Sequence, residues 1–503
     1  MKVGMGKNNK QNNLVVLIKI DAYTTKKRYL PYGLMYIANS LERAGYEVKI
    51  LHNTDQHFLK KDLTNFLSFI KNNDPLFIGF SVNTGRSTQL SALFSKEIKR
   101  DDNKNTIVWG GVHPTILPKE CLLEKYIDFV VLDEGEESVV ELAQALQGKR
   151  KIETIRGIGY KKNDLPIITG FRPKIENLDK YRPSWHLVDI KKYLSKYKQH
   201  GFNLNRMVSY LTSRGCPYRC AFCYNRFRPE NRKVRCHSIN RIVSDIKKLK
   251  EEYGVDCIWF NDDNFFVNQE RAFEIIKKIG LPWFGEARVN SLTNEKTVKR
   301  IKKSNCICTM SGAESGCDRI LTYVQKDITT AQIIKATKVM SKYKAPLNYT
   351  FIVGFPGETW EEIIQTIHFI HKLEDIYDSP KFLCRVGAYI PYPGSPLYET
   401  SVKMGFQLPT KTENWGSLER LEMTSDLPWV RGRNIAGLVR YTSAICMARK
   451  ESKLGYNVLN KLYKYRLGRK NFNFPFEINI LYFLVRQLRM NQEKIKNFLK
   501  KKE

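Results

Sequence analysis

Residues Leu14–Ile20 read LVVLIKI, an almost unbroken apolar run of strand length, and such a run is expected where a strand is buried on both faces. Behind it, Leu34, Ile37, Ala38 and Leu41 recur at helical spacing and Gly45 follows as a stop. The alternation continues with strands at 47–51, 76–81, 106–109 and 129–132. Helices are expected near 58–71, over 87–100, briefly after Pro118, and over 138–147. Parallel neighbours need crossover connections, so this alternation predicts a doubly wound parallel sheet. Ligands bind such sheets at the carboxyl ends of the strands. The loops there carry Ser81, Val82, Asn83 and Thr84; Gly110, Gly111, His113 and Pro114; and Gly135 and Glu136. Glycines and small polar residues let backbone amides approach a flat or phosphorylated ligand, although turns after strands use the same residues for structural reasons.

The rest of the chain narrows the class. A length of 503 residues allows about three domains. A composition of 42% hydrophobic and 12% aromatic residues excludes disorder. No apolar run approaches the roughly 18 residues that span a bilayer, and the polar start MKVGMGKNNKQNN lacks a signal-peptide core, so a cytosolic protein is expected. The 84 Lys+Arg against 51 Asp+Glu give a net charge of +33 and point to an acidic partner. Eleven cysteines in a reducing compartment point to metal or redox chemistry rather than a disulfide framework.

Three of those cysteines, Cys216, Cys220 and Cys223, lie on one predicted loop, SRGCPYRCAFCY. Three thiolates spaced C-x3-C-x2-C can hold three corners of a cubane iron–sulfur cluster and leave one iron open. A zinc site recruiting Cys236 or His237 is the alternative, and simple burial is another. Cys306, Cys308 and Cys317 could suggest a second cluster, but Cys308 falls inside a predicted strand, and burial as small hydrophobes is the better reading for most of them. Downstream, strands are expected at 207–211, 257–260, 283–287, 307–310, 347–353 and 385–390. Asp262 and Asp263, Arg288, Glu314 and the turn Gly354-Phe355-Pro356-Gly357 follow the second to the fifth of them. Polar residues after successive strands match the active-site end of a β/α barrel, and about six units suggest a partial one.

Together these segments resemble a known family. PYGLMYIANSLERAGYEV, IGFSVNT, WGGVHPT and VLDEGEES are similar to the cobalamin-binding domain found ahead of many radical S-adenosylmethionine enzymes, and the cysteine loop resembles the signature of those enzymes. The resemblance implies a doubly wound, flavodoxin-like cobalamin domain over 1–150, a connector over 151–200, and a partial (β/α)6, TIM-like radical SAM barrel over 201–425. It implies three cofactors: a 4Fe-4S cluster on Cys216, Cys220 and Cys223, S-adenosylmethionine, and cobalamin. Carried over by position, Phe222 lies near the adenine, Asp262 or Asp263 near the amino group, Arg288 and Glu314 at the ribose or carboxylate, and Gly354 beside the adenine. Ser81, Val82, Asn83, Thr84, Gly110, Gly111, His113, Pro114, Gly135 and Glu136 are the implied cobalamin contacts. One departure is plain. Relatives that ligate cobalt through histidine carry D-x-H-x-x-G after the first strand, whereas this chain has Asp21-Ala22-Tyr23. Asp55-Gln56-His57 follows the second strand and lacks the glycine, so His57 is expected at the surface and no histidine on cobalt.

The implied activity is C-methylation of an unactivated carbon by way of a 5′-deoxyadenosyl radical, with cobalamin supplying the methyl group. Cyclisation or rearrangement with cobalamin is the alternative within the family. A non-enzymatic cobalamin or metal sensor is the alternative outside it. The implied partners are a one-electron donor of the flavodoxin or ferredoxin type and a small or lipid-like, anionic substrate. Residues 426–503 are expected to form a basic helical region. From Arg431 onward 18 Lys+Arg face 4 Asp+Glu, and Ile478, Leu481, Tyr482 and Val485 recur at helical spacing near Arg486 and Arg489. Packing on the barrel with a solvated basic face is the simpler expectation, peripheral membrane contact the second. No nucleic-acid motif accompanies the charge.

Overall fold

A computed structural model describes residues 12–21, 29–53, 60–199, 202–419, 427–430, 434–451, 453–469 and 472. Its first sheet contains β1 (Leu14–Ile20), β2 (Glu47–Asn53), β3 (Phe77–Ser81), β4 (Ile107–Gly110), β5 (Phe129–Val131), β6 (Ile158–Lys162) and β7 (Leu165–Ile168) in the order β2-β1-β3-β4-β5-β6-β7. The first five strands are parallel, with Val15 opposite Phe77 and Val108 opposite Phe129. Residues of β1 alternate between two cores. Val15 and Leu17 pack with Met35 and Leu142 on one side, while Val16 and Ile18 pack with Phe94 and Trp109 on the other. Double-sided burial is what makes this strand apolar throughout. The strand order reverses direction between β1 and β3, and the crevice at such a switch point is where these sheets take ligands.

The connector differs from expectation. Within 151–199 lies more than a linker, because β6 and β7 extend the first sheet as an antiparallel hairpin. Its turn residues Asn163 and Asp164 both have positive φ, 51° and 60°, the backbone of a two-residue hairpin turn built without glycine. The same segment also supplies β8 (Ser195–Gln199), which pairs antiparallel with β9 (Phe202–Tyr210).

β9 opens the second sheet. After it come a short ribbon, β10 (Ser213–Arg214) paired with β11 (Arg235–Cys236), and then β12 (Cys257–Phe260), β13 (Trp283–Glu286), β14 (Cys306–Glu314), β15 (Leu347–Val353) and β16 (Phe382–Ala388). The order β16-β15-β14-β13-β12-β9-β8 places six parallel strands in an open, curled half-barrel edged by β8. Between its strands run helices with sequence-coded ends. Ser238 caps the helix Ile239–Tyr253, Gly254 ends it at φ +63°, and Thr359 with Glu362 forms a capping box on the helix Trp360–Ile376.

The helix Ile435–Glu451 packs on β16 through buried Ile435, Leu438 and Ile445, and the helix Lys453–Gly468 packs on it in turn. Residues Arg431, Ile478, Leu481, Tyr482, Val485, Arg486 and Arg489, like His57, lie outside the described residues. Among the described residues no helix is long and apolar enough to cross a membrane.

Candidate active site between the two sheets

The carboxyl ends of β3, β4 and β5, with Leu17 of β1, surround a cleft of about 890 Å3 that opens to solvent. Leu17, Phe77, Val108 and Val131 make an apolar floor, while Ser81, Gly110, Gly111, Gly135 and Glu136 lie at its edge. Glycine is needed here for steric reasons. A Cβ on Gly79 would sit 3.0 Å from Leu17 Cδ2, and one on Gly135 would sit 2.8 Å from Val131 Cγ1. Gly111 has φ +98° and a Cβ there would meet Val82 O at 2.9 Å. Bare backbone at the rim of an apolar slot suits a flat, bulky ring system such as a corrin.

Of the ten residues expected at that ligand, five line the cleft and five are not among its lining. Val82 is buried against the next strand, with its N–H donating to Gly110 O and its carbonyl accepting from His113 N. Thr88 Oγ1 donates to Asn83 O. His113 is 1% exposed, lies 3.1 Å from Thr84 Oγ1 and packs edge-on to Trp415. Burial pushes its pKa down to about 3, so it stays neutral. Residues 112–116 are not a loop: Val112–Ile116 form a helix that accommodates Pro114 in its first turn, where no backbone N–H is missed. The cleft also has walls that the loops alone did not reveal. Tyr32, Tyr36 and Ile37 come from the helix Tyr32–Arg43, and Leu211 and Arg214 from the start of the cysteine loop. Asp21, at the position of the missing D-x-H, does meet a histidine from another strand. His52 Nε2 lies 3.0 Å from Asp21 Oδ2, and His52 Nδ1 lies 2.8 Å from the Tyr193 hydroxyl.

The cysteine loop leaves β10 through Gly215 (φ +93°) and returns in β11. Backbone bonds fix its path: Cys216 N to Asn231 O at 3.1 Å, Cys223 N to Cys220 O at 3.1 Å, and Ala221 N to Val324 O at 2.8 Å. Burial raises the Cys216 thiol and pushes Cys223 up to about 12. Three cysteine thiols on one short loop are the donor set that an iron–sulfur cluster takes. The zinc alternative loses its extra ligands. Cys236 is exposed across the ribbon from Ser213, and His237 is held by Tyr36 and Asp179. Among the described residues no three His, Cys, Asp or Glu side chains converge tightly enough to hold a single ion.

Around this loop the ends of β12 to β15 assemble a charged pocket wall. Asp262 is 3% exposed and accepts from Thr212 N at 3.1 Å, Thr212 Oγ1 at 2.8 Å and the Ser213 hydroxyl. Burial outweighs these bonds and lifts its pKa to about 6. Its carboxylate is thus spent on the approach to Cys216. Asp263, the next residue, is exposed beside the Gly215 turn and Asn225. Arg288 donates to Lys326 O, lies 3.7 Å above the Tyr218 ring and brings Nη1 to 3.8 Å from Cys220 Sγ; its buried Nε has no partner. Glu314 ends β14 rather than following it, at a bulge and with φ +61°, and accepts from Lys326 Nζ at 2.6 Å. Phe222 lies 5.8 Å from Phe355. Gly354 has φ +82°, donates its N–H to Glu358 and accepts from Trp429 Nε1. Sequence reasoning missed Glu286 and Lys326. Glu286 ends β13 with its side chain exposed, near Lys326, Asp263 and Glu314. Its signal was a carboxylate ending a strand, two residues before Arg288.

Comparison with known proteins completes the picture. The model of the B12 binding domain matches residues 18–143, and that of the radical SAM superfamily matches residues 210–370. Over 420 residues, 82% of this chain and 86% of the other, the chain is 34% identical to the uncharacterized methyltransferase PH0819 of Pyrococcus horikoshii. It is 26% identical to the cytidylyl-2-hydroxyethylphosphonate methyltransferase of Streptomyces wedmorensis, over 76% of this chain and 79% of that one. It is 25% identical to the anaerobic magnesium-protoporphyrin IX monomethyl ester cyclase of Cereibacter sphaeroides, over 73% and 60% respectively. The solved structure of the cobalamin-dependent S-adenosylmethionine radical enzyme OxsB shares the fold at a TM-score of 0.64 and 16% identity, covering 97% of this chain and 75% of that one. Matched in both domains, and one-third identical to a relative over most of both chains, this protein belongs to the radical SAM superfamily, as an enzyme with a B12-binding domain ahead of its radical SAM domain.

Proposed function

We propose that the protein is a cobalamin-dependent C-methyltransferase acting on an unactivated carbon of a small molecule. The observation that carries this reading is the meeting of the two sites. Leu211 and Arg214 line the glycine-rimmed cleft, and Cys216 follows two residues later. When bound, the cluster, S-adenosylmethionine and cobalamin together supply a 5′-deoxyadenosyl radical and a transferable methyl group. The chain's own residues hold and orient. Cys216, Cys220 and Cys223 would grip three corners of the cluster. Arg288, Glu286, Asp263 and the Glu314–Lys326 pair would face the polar end of S-adenosylmethionine, and Phe222, Phe355 and the Gly354 backbone its adenine. Gly110, Gly111 and Gly135 would let the corrin lie against backbone. An external one-electron donor completes the cycle.

Incubating anaerobically reconstituted protein with methyl-deuterated S-adenosylmethionine and small-molecule extracts tests the reading. Methyl transfer predicts a product carrying the label. Unlabelled product with a new ring, formed alongside 5′-deoxyadenosine, would favour the second reading, cobalamin-assisted cyclisation, which the cyclase-named relative supports.

A further inference from the structure

The ribbon of β10 and β11 grips the cleft loop of the first domain, and the grip is ionic. Arg214 Nη2 lies 2.7 Å from Glu136 and its Nη1 3.2 Å from Glu134. Arg235 makes two bonds of 2.8 Å to Glu134. Arg228 pairs with Asp133, which Lys174 also holds at 2.6 Å. The Arg214 guanidinium lies 4.8 Å over the Tyr36 ring, and Tyr36 is hydrogen-bonded to His237, the residue after β11. Acidic residues of one loop are thus met by cations from the segment that carries the cysteines. Taking these charges out of water is costly, and apolar packing would join two domains as firmly. What a bidentate arginine adds is fixed geometry.

That geometry reaches both ligand loops through one residue each. Gly215 alone separates Arg214 from Cys216, and it is wedged in place: a Cβ there would meet Lys233 O at 2.5 Å and Asn231 O at 2.8 Å. Gly135 separates Glu134 from Glu136, lines the cleft and is equally tight, with Val131 Cγ1 at 2.8 Å and Ile37 Cδ1 at 3.1 Å from a built Cβ. Both glycines thus run close against packed neighbours, backbone at Gly215 and side chains at Gly135. On the barrel side, Asp262 anchors Thr212 and Ser213, so displacement of Arg214 is passed to the cysteine loop rather than taken up behind it.

We propose that Arg214 is a positioning residue that couples the two cofactor sites, so that a corrin against the 133–136 loop and a cluster on Cys216, Cys220 and Cys223 each favour the binding of the other. The coupling rests on the assignment of cleft and cysteine loop made above. It is reciprocal, as any linkage between two binding equilibria is.

Equilibrium dialysis of hydroxocobalamin against the full chain, before and after anaerobic reconstitution with iron and sulfide, measures it. Wild-type protein is expected to bind hydroxocobalamin at least about fivefold more tightly with the cluster than without. In Arg214→Gln both cofactors should still bind, but the ratio should fall to within about twofold of unity. Glu136→Gln removes the same contact from the other side and should give the same collapse; it decides the matter if Arg214→Gln does not fold. A wild-type ratio near one, or a ratio preserved in the folded variants, overturns the coupling while leaving the assigned sites intact. Wild-type protein that takes up no hydroxocobalamin in either state overturns the assignment of the cleft, and the coupling with it.

Discussion

Two buried titratable side chains set opposite limits on the pH range of the fold. His113 is held neutral inside the first domain, its pKa pushed by burial from 6.5 to about 3. A lowered folded pKa means that its contribution is complete above about pH 6.5 and is lost as the pH falls toward 3. His113→Gln, which keeps a partner for Thr84, should flatten the fall in Tm between about pH 6.5 and 4; an acid limb identical to wild type would contradict this. Glu358 acts in the other direction. Its carboxyl accepts from Gly354 N at 2.6 Å and Phe355 N at 3.0 Å, yet burial dominates and lifts its pKa from 4.5 to about 8. A raised folded pKa gives stability that is complete below about pH 4.5 and drains away up to about pH 8, at no more than about 1.4 kcal/mol per pH unit. Glu358→Gln should therefore raise Tm relative to wild type at pH 9 and not at pH 4; thermal melts at both values check the sign.

Elements were legible where one physical requirement dominated the local sequence. β1 needed apolar residues on both faces, the helices carried caps and stripes, and the C-x3-C-x2-C loop followed a strand. The strands β6, β7 and β8 were hidden because edge and hairpin strands are half solvated and carry lysines such as Lys161 and Lys162. The helix Val112–Ile116 was hidden behind Pro114, and the true place of Glu314 behind a bulge at the end of β14. At the site, residue identity was more readable than orientation. Asp262 does stand at the cysteine loop, but its carboxylate faces the backbone of Thr212, and only the packing of β9 beside β12 reveals that. Glycines in the two ligand loops separate two kinds of constraint. At Gly111 a Cβ meets backbone at 2.9 Å and φ is +98°, whereas at Gly354 the nearest atom is 3.9 Å away and only the φ of +82° objects. Gly354→Ala should cost about 1–2 kcal/mol, the conformational penalty alone. Gly111→Ala should cost more, because Val82 and the end of β3 must move. Urea midpoints of the two variants compare them directly, and equal losses would contradict the steric account.

For the whole molecule, the consequence of this architecture is that the ion pairs joining the 133–136 loop to the cysteine segment are desolvated, unlike the exposed Lys96–Glu413 pair that also crosses between the domains. Desolvated pairs are weakly screened. Removing one partner leaves the other charge buried, so Glu134→Gln, which strands Arg235, should lower stability by about 3–5 kcal/mol, read as a shift in the denaturant midpoint. A loss below about 1 kcal/mol, the range of exposed pairs, would contradict the buried reading. The net charge of +33 is not consumed by this interface. The remaining excess suits an anionic substrate or surface, and the stretch from Arg431 onward carries 18 Lys+Arg against 4 Asp+Glu of it. The central claim is that one chain holds a cluster on three cysteines and cobalamin in the facing cleft. Iron, zinc and cobalt analysis of anaerobically reconstituted protein, alongside its Cys216→Ala, Cys220→Ala and Cys223→Ala variants and with 5′-deoxyadenosine as the readout, tests it most directly. The account predicts about four irons and one cobalt per wild-type chain. In each cysteine variant the iron and the 5′-deoxyadenosine should be lost while cobalamin still binds. Stoichiometric zinc with no iron, or 5′-deoxyadenosine made undiminished by the variants, would contradict it.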